Sequence, residues 1–92
     1  MKVIVRAKAK DDIDNVFAWI AKDNPAAAIK MVVHIRERVN LLETDGLAYM
    51  GHRGTVAGTF ELVVCPYIIV YKVREKRKEI LIVSIVHGAQ NR

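Results

Sequence analysis

The side chains best suited to proton transfer in this 92-residue chain are Glu61 and His87. Glu61 sits in T-F-E-L-V-V and His87 ends I-L-I-V-S-I-V-H. Both stretches are apolar and β-branched, so both residues are expected on strands of the same sheet. A carboxylate and an imidazole near one another can serve as general base and acid, a contribution of about 10²–10⁴ to rate. The structural alternative is that His87 closes a strand and hydrogen-bonds locally, while Glu61 pairs with a surface Arg or Lys.

Other residues carry weaker chemical signals. Lys72, Arg74, Lys76, Arg77 and Lys78 cluster near a turn, diluted by Glu75 and Glu79. Such a cluster suits phosphate or an acidic peptide; as plain structure it is a solvated turn that blunts a sheet edge. Trp19 falls beside a helical apolar stripe, where it either packs on the next helix or anchors a partner. Cys65 is the single cysteine, so neither an intramolecular disulfide nor a cysteine zinc site can form. Gly46, Gly51, Gly54 and Gly58 lie in one loop but match no nucleotide fingerprint: the P-loop Lys-Ser/Thr is missing, and the loop does not join a strand to a helix. No metal and no cofactor is expected.

The elements that position these residues follow from periodicity. Lys2–Arg6 is β-branched and reads as a strand. A helix is expected over Asp11–Asp23, with Ile13, Val16, Phe17 and Ile20 as its apolar stripe. Asp11 and Asp12 would occupy the first turn, where the helix dipole favours negative charge. Asn24-Pro25 signals a second helix, with Asn as N-cap and Pro at the first position. It runs to about Leu42 on a stripe of Ala28, Val32, Ile35, Val39 and Leu42. The Asp23-Asn24 turn makes the two helices an antiparallel hairpin. Asp45–Gly58 reads as a loop. Strands follow over Thr59–Val64, Tyr67–Val73 and Glu79–Val86, broken by Pro66 and by a turn at Glu75–Lys78. Tyr67 and Tyr71 share one face and should pack in the core. The last strand is apolar on both faces, which suggests a central place in the sheet. The fold class is α+β, ordered β-α-α-β-β-β: a small, largely antiparallel sheet with an antiparallel helical hairpin on one face.

The bulk numbers set limits. Ninety-two residues, 52% of them hydrophobic, suit a single domain over 1–92. The longest apolar run, Ile80–Val86, falls far short of the roughly 18 residues of a membrane span, so no membrane contact is expected and the chain reads as cytoplasmic. A net charge of +5 favours an acidic partner.

Several segments together resemble the ParE branch of the RelE/ParE toxin superfamily. Asp12-Ile13, Val16 and Trp19-Ile20-Ala21 are similar to its first-helix pattern, and Asn24-Pro25-Ala26-Ala27-Ala28 to its second-helix start. Gly58-Thr59, Glu61-Leu62, Pro66-Tyr67-Ile68-Ile69-Val70-Tyr71 and His87-Gly88-Ala89 are similar to its strand motifs. The resemblance implies a toxin of a type II toxin–antitoxin module that inhibits DNA gyrase rather than acting as an enzyme. It implies neutralisation by a ParD-like antitoxin with an acidic or disordered segment, and contact with operator DNA only through that antitoxin. Target-binding candidates are then His52, Arg53, His87, Gln90 and Arg92; antitoxin-binding candidates are Trp19, Lys72, Arg74 and Arg77. Two alternatives stay open. One is a RelE-like, ribosome-dependent mRNA endonuclease using His87, Glu61 and Arg53. The other is a non-toxic co-regulator that binds the antitoxin. RelE-like nucleases usually carry an arginine where this chain has Ile68, which argues against cleavage. The ParE pattern has further arginines where this chain has His52, Phe60 and Gln90.

Overall fold

Strand β5 is built to be enclosed, and the rest of the chain encloses it. A computed structural model of the protein describes residues 1–44 and 46–88. The elements are β1 (Lys2–Val5), α1 (Ala7–Ala21), α2 (Pro25–Leu41), β2 (His52–Arg53), β3 (Phe60–Val64), β4 (Tyr67–Arg74), a 3₁₀ turn (Glu75–Arg77) and β5 (Glu79–His87). The five strands form one sheet in the order β1-β5-β4-β3-β2. β5 runs antiparallel to β4 along its whole length and parallel to β1 over Glu79–Ile82. Neighbours on both edges account for its apolar character on both faces, interrupted only by Ser84 between Ile80 and Val86, as its composition suggested.

The helices pack together and cover one face of the sheet. Ile13 and Val16 of α1 and Ile35, Val39 and Leu42 of α2 meet Leu62, Tyr71, Ile80 and Ile82 in one core. Each large aliphatic side chain enclosed this way contributes about 1.5–3 kcal/mol. Asn24 caps α2, its Oδ1 accepting the Ala27 N–H at 3.0 Å, with Pro25 at the first helical position. That satisfies a donor the helix cannot satisfy itself. Among the described residues, no helix is long and apolar enough to cross a membrane.

Three expectations need correction. Helix α1 begins at Ala7, not Asp11, because Ala-Lys-Ala-Lys is a run of strong helix formers entered from an extended Arg6. Asp11 and Asp12 therefore lie beyond the first turn, and the dipole argument does not apply to them. Phe17 is not core; it is 40% exposed. The buried stripe is Ala9, Ile13 and Val16, with Ile20 half-buried, and at 100° per residue Phe17 lies roughly 70° off its centre. The expected loop also holds β2, a two-residue edge strand too short to show any periodicity.

Asp12 has a task that its position in a helix hid. β1 ends at Val5, and the Arg6 N–H still reaches the Ile82 carbonyl at 3.2 Å. Further along β5 the Asp12 carboxylate takes over, accepting the Ile85 N–H at 2.9 Å and pairing with Lys8 at 2.9 Å. Glu43 does similar work at the free edge of β1, where its Oε2 accepts the Val3 N–H at 2.9 Å. Capping that edge donor discourages pairing with another chain.

Asp12→Ala should cost about 1–3 kcal/mol in urea unfolding, since it strands a part-buried backbone donor. Asp14→Ala, on the exposed side of the same helix, should stay within about 0.5 kcal/mol of the parent. Equal effects from both substitutions would show that the Asp12–Ile85 bond does not hold α1 to the sheet.

Candidate functional site

Paired residues on neighbouring strands point to the same side of a sheet, and successive residues along a strand to opposite sides. His87 pairs with Tyr67, which belongs to the core, so His87 lies on the helix-facing side. Glu61 pairs with Val70, which in turn pairs with Ser84, and this row lies on the outer face. The two candidates for acid–base chemistry thus stand on opposite faces. Arg53 pairs with Phe60 and shares the helix-facing side with His87. It is nevertheless removed from His87 by about 13 Å along the strands and about 14 Å across them. The sheet does not bring His87, Glu61 and Arg53 together. It sets His52 directly beside Glu61 on the outer face instead, a pairing that sequence spacing could not show because β2 itself was not visible.

Glu61 is only 8% exposed, and its Oε2 receives the Thr55 N–H at 3.4 Å. The glycine-rich loop is held over this region by an aromatic stack. Phe60 lies 5.6 Å from Tyr71 at an interplanar angle of 25°, and Tyr49 stands edge-on to Phe60 at 5.4 Å. Tyr71 is fully buried, and its hydroxyl accepts the Gly51 N–H at 3.0 Å. Burial pushes the Tyr71 phenol above its ordinary value of 10.0, and the Gly51 hydrogen bond opposes that shift. The Tyr49 phenol is also raised, first by its hydrogen bond to Glu75, then by burial and by the Glu75 charge. Tyr49 thereby ties the loop to the β4–β5 turn.

A cleft of about 510 Å³ opens between α1 and the ends of β4 and β5. Asp12, Asn15, Val16 and Trp19 line one wall, and Tyr67, Ile85 and His87 the other. The His87 ring stands edge-on to Tyr67 at 5.4 Å. Trp19 is 68% exposed, with the Lys22 ammonium 5.2 Å from its ring centroid, close enough for a cation–π contact. The structure therefore joins Trp19 and His87, which had been assigned to different partners, in one site. It adds Asp12 and Asn15, which the spacing 12, 15, 16, 19 along one helix face could have revealed. Lys72, Arg74 and Arg77 lie at the opposite end of β4. Gln90 and Arg92 lie outside the described residues. Among the described residues no cluster of His, Cys, Asp or Glu is arranged to hold a metal.

Residues 3–92 match a family described as the ParE toxin of the type II toxin–antitoxin system parDE. The chain belongs to the ParE toxin family. It is 32% identical over 80 residues to a Sinorhizobium fredii protein named "Putative toxin Y4kP", an alignment covering 85% of this chain and 78% of that one. A chain from the chromosomal ParDE toxin–antitoxin system of P. aeruginosa superposes with a TM-score of 0.79 at 27% identity, covering 95% of each chain. A chain of the Mycobacterium tuberculosis RelBE2 toxin–antitoxin complex superposes with a TM-score of 0.52 at 20% identity, over 94% of this chain and 95% of that one, which shows a shared fold.

Within this ParE-family chain the residues that stand where RelE-like nucleases have an arginine (Ile68) or where the ParE pattern has one (Phe60, His52) have visible consequences. Ile68 is 6% exposed and registers between Val63 and Val86, so the outer face there is hydrocarbon. Phe60 places a ring in the stack that seats the loop. His52 stays exposed beside Glu61.

A Cβ at Gly51 would meet the Glu61 carbonyl at 2.7 Å and the Tyr71 hydroxyl at 2.8 Å. Gly51→Ala should therefore cost about 1–3 kcal/mol in urea unfolding; an unchanged midpoint would show that the loop is not seated this way. Tyr71 predicts a pH effect too. A phenol whose folded pKa is raised favours folding below its unfolded pKa, and that contribution is lost as pH climbs through the folded value. Stability should fall as pH rises above about 10, and Tyr71→Phe should flatten part of the fall.

Proposed function

We propose that this chain is a toxin that inhibits DNA gyrase by binding it and is neutralised by a cognate antitoxin. The observation that carries the reading is the placement of His87 and Glu61 on opposite faces of the sheet. A nuclease built on that pair and Arg53 would need all three around one phosphate, and the register keeps them apart. Hydrocarbon at Ile68 supports the same conclusion, since it cannot balance charge developing on a phosphorane. Gyrase is the target that the ParE resemblance implies. An antitoxin partner is supported by the ParDE system whose toxin this chain resembles in fold and sequence.

The α1 cleft is the proposed seat of the antitoxin. Trp19 projects from it, and Tyr67 and His87 provide an aromatic floor. A large exposed aromatic beside a cleft suits a binding hot spot. His52 and Arg53 on the edge strand, with Gln90 and Arg92, are the proposed target contacts; His87, expected among them, is assigned to the antitoxin seat.

The nuclease reading keeps one observation in its favour: His52 and Glu61 are side by side on the outer face. It differs in its consequences. On that reading His52→Ala would abolish mRNA cleavage, and His87→Ala would leave it intact.

Expression of the chain alone should arrest growth and induce a DNA-damage response, and the purified protein should inhibit gyrase supercoiling. Normal supercoiling together with rapid mRNA decay would reject the gyrase reading in favour of the nuclease. Trp19→Ala should leave unfolding unchanged yet weaken antitoxin binding by about 2 kcal/mol, roughly 30-fold. Unchanged affinity would move the antitoxin elsewhere on the surface.

A further inference from the structure

Most of the chain's net charge is concentrated at one end of the sheet. Lys72 and Arg74 finish β4, Lys76 and Arg77 form the turn with Lys78 after it, and Lys2 donates its backbone N–H to the Lys78 carbonyl at 3.0 Å. Against these six cations stand Glu75 and Glu79, together with Glu43 on the Val3 N–H beside Lys2, so this end carries three of the five net positive charges. The rest of the chain carries the other two. Among the described residues none of the six cations makes an ion pair. Glu75 instead accepts the Tyr49 hydroxyl. From Arg74 to Lys78 every residue is both charged and exposed.

The character of this end narrows the partner. A protein partner would need an apolar anchor at the centre of the contact, and the turn offers none. Single-stranded nucleic acid would need rings on which bases can stack. Among the described residues only Tyr49 is near, 47% exposed but held against Phe60 and Glu75, and one ring is no platform for successive bases. What remains is a set of point charges on a hydrogen-bonded scaffold. That suits the phosphate backbone of a duplex, which is bound by neutralising phosphates and releasing their counterions.

We infer that the β4–β5 end of the sheet binds the backbone of duplex DNA directly, without reading its sequence. This goes beyond the gyrase and antitoxin reading: DNA, expected to reach the toxin only through its antitoxin, meets this chain itself. The cations bracket the duplex from two places, Lys2 and Arg74 flanking Glu79 on one row of the sheet and Lys76–Lys78 on the turn.

The test titrates a labelled duplex of arbitrary sequence, about 20 base pairs long, with the isolated chain between about 50 and about 200 mM salt. With six cations engaged, log K should fall with log salt at a slope of about −5, an affinity loss of roughly 10³ over that range. Replacing Lys76→Ala, Arg77→Ala and Lys78→Gly together should bring the slope about 3 closer to zero. Glycine is chosen at 78 because Lys78 already holds a left-handed φ of 53°. Arg36→Ala with Arg38→Ala on α2 should leave the slope unchanged. A slope near zero in the unsubstituted chain would overturn the proposal, and so would an equal loss from the α2 pair. Tighter binding of a single-stranded RNA of the same length would replace duplex by single strand. Loss of antitoxin affinity in the triple variant with duplex binding retained would give the surface to an acidic protein segment. The gyrase assay on the triple variant is read separately: inhibition that survives lost duplex binding shows that the two readings stand or fall independently.

Discussion

The structure depends on satisfying the backbone of β5 along both edges. On one side β4 accompanies it from Glu79 to His87. On the other, β1 accompanies it only to Ile82. Beyond that point the strand would show open donors to solvent or core, and a part-buried unpaired N–H costs about 1–3 kcal/mol. Asp12 closes the gap at Ile85. That one bond fixes where α1 must lie, because Asp12 can reach β5 only if the helix runs beside the strand's second half. The cleft between Trp19 and His87 follows directly. It is the space left between α1 on the sheet's face and the ends of β4 and β5 that run on past β1.

A second constraint acts at the other side of the sheet. Tyr71 is fully buried, and a phenol hydroxyl there requires a partner. The partner is the Gly51 N–H, which the loop can bring close only because residue 51 has no side chain. The loop is therefore seated by the core. β2 follows from that seating: once Gly51 is placed, His52 and Arg53 fall alongside Glu61 and Phe60 and pair with them. The Tyr49–Glu75 bond then ties the same loop to the β4–β5 turn.

How much of this was legible in the sequence depended on whether the signal was local. Asn24-Pro25 is a complete instruction within two residues, and α2 starts where they say. The double-sided apolar pattern of β5 reported its central position. The fold class followed from the order of such segments. What failed needed long-range information or a different weighting of it. Ala7–Lys10 has helix propensity without apolar periodicity, so a reading based on periodicity started α1 too late. Phe17 fits the i, i+4 rule from Ile13 but lies off a stripe whose true origin is Ala9. The pairing of Glu61 and His87 was a statement about sheet faces, and faces depend on register, which a chain with a bulge between Val70 and Tyr71 does not disclose. Asp12 reads as a helix-dipole residue only if α1 starts at Asp11, and its bond to Ile85 depends on β1 ending at Val5, which no local pattern shows.

The lack of an arginine at Phe60, where the ParE pattern has one, and at Ile68, where RelE-like nucleases have one, is bound to the architecture. An arginine at either place would carry a guanidinium, whose burial is costly unless paired. At 68 the flanking Val63 and Val86 provide no carboxylate, and at 60 the space is taken by the contacts with Tyr49 and Tyr71. Placing an arginine at these positions would therefore disturb packing before it built a site. At 60 it would remove the ring that seats the loop, and with it the placement of His52 and Arg53. The strands carry packing at these positions, and most of the net positive charge lies at the β4–β5 end. A shared fold can host different activities because the strands fix only which residues face which way. In this chain the helix-facing side holds an aromatic cleft, the outer face a histidine beside a buried glutamate, and the sheet end a row of cations. Those three surfaces, more than the fold, set what it can bind.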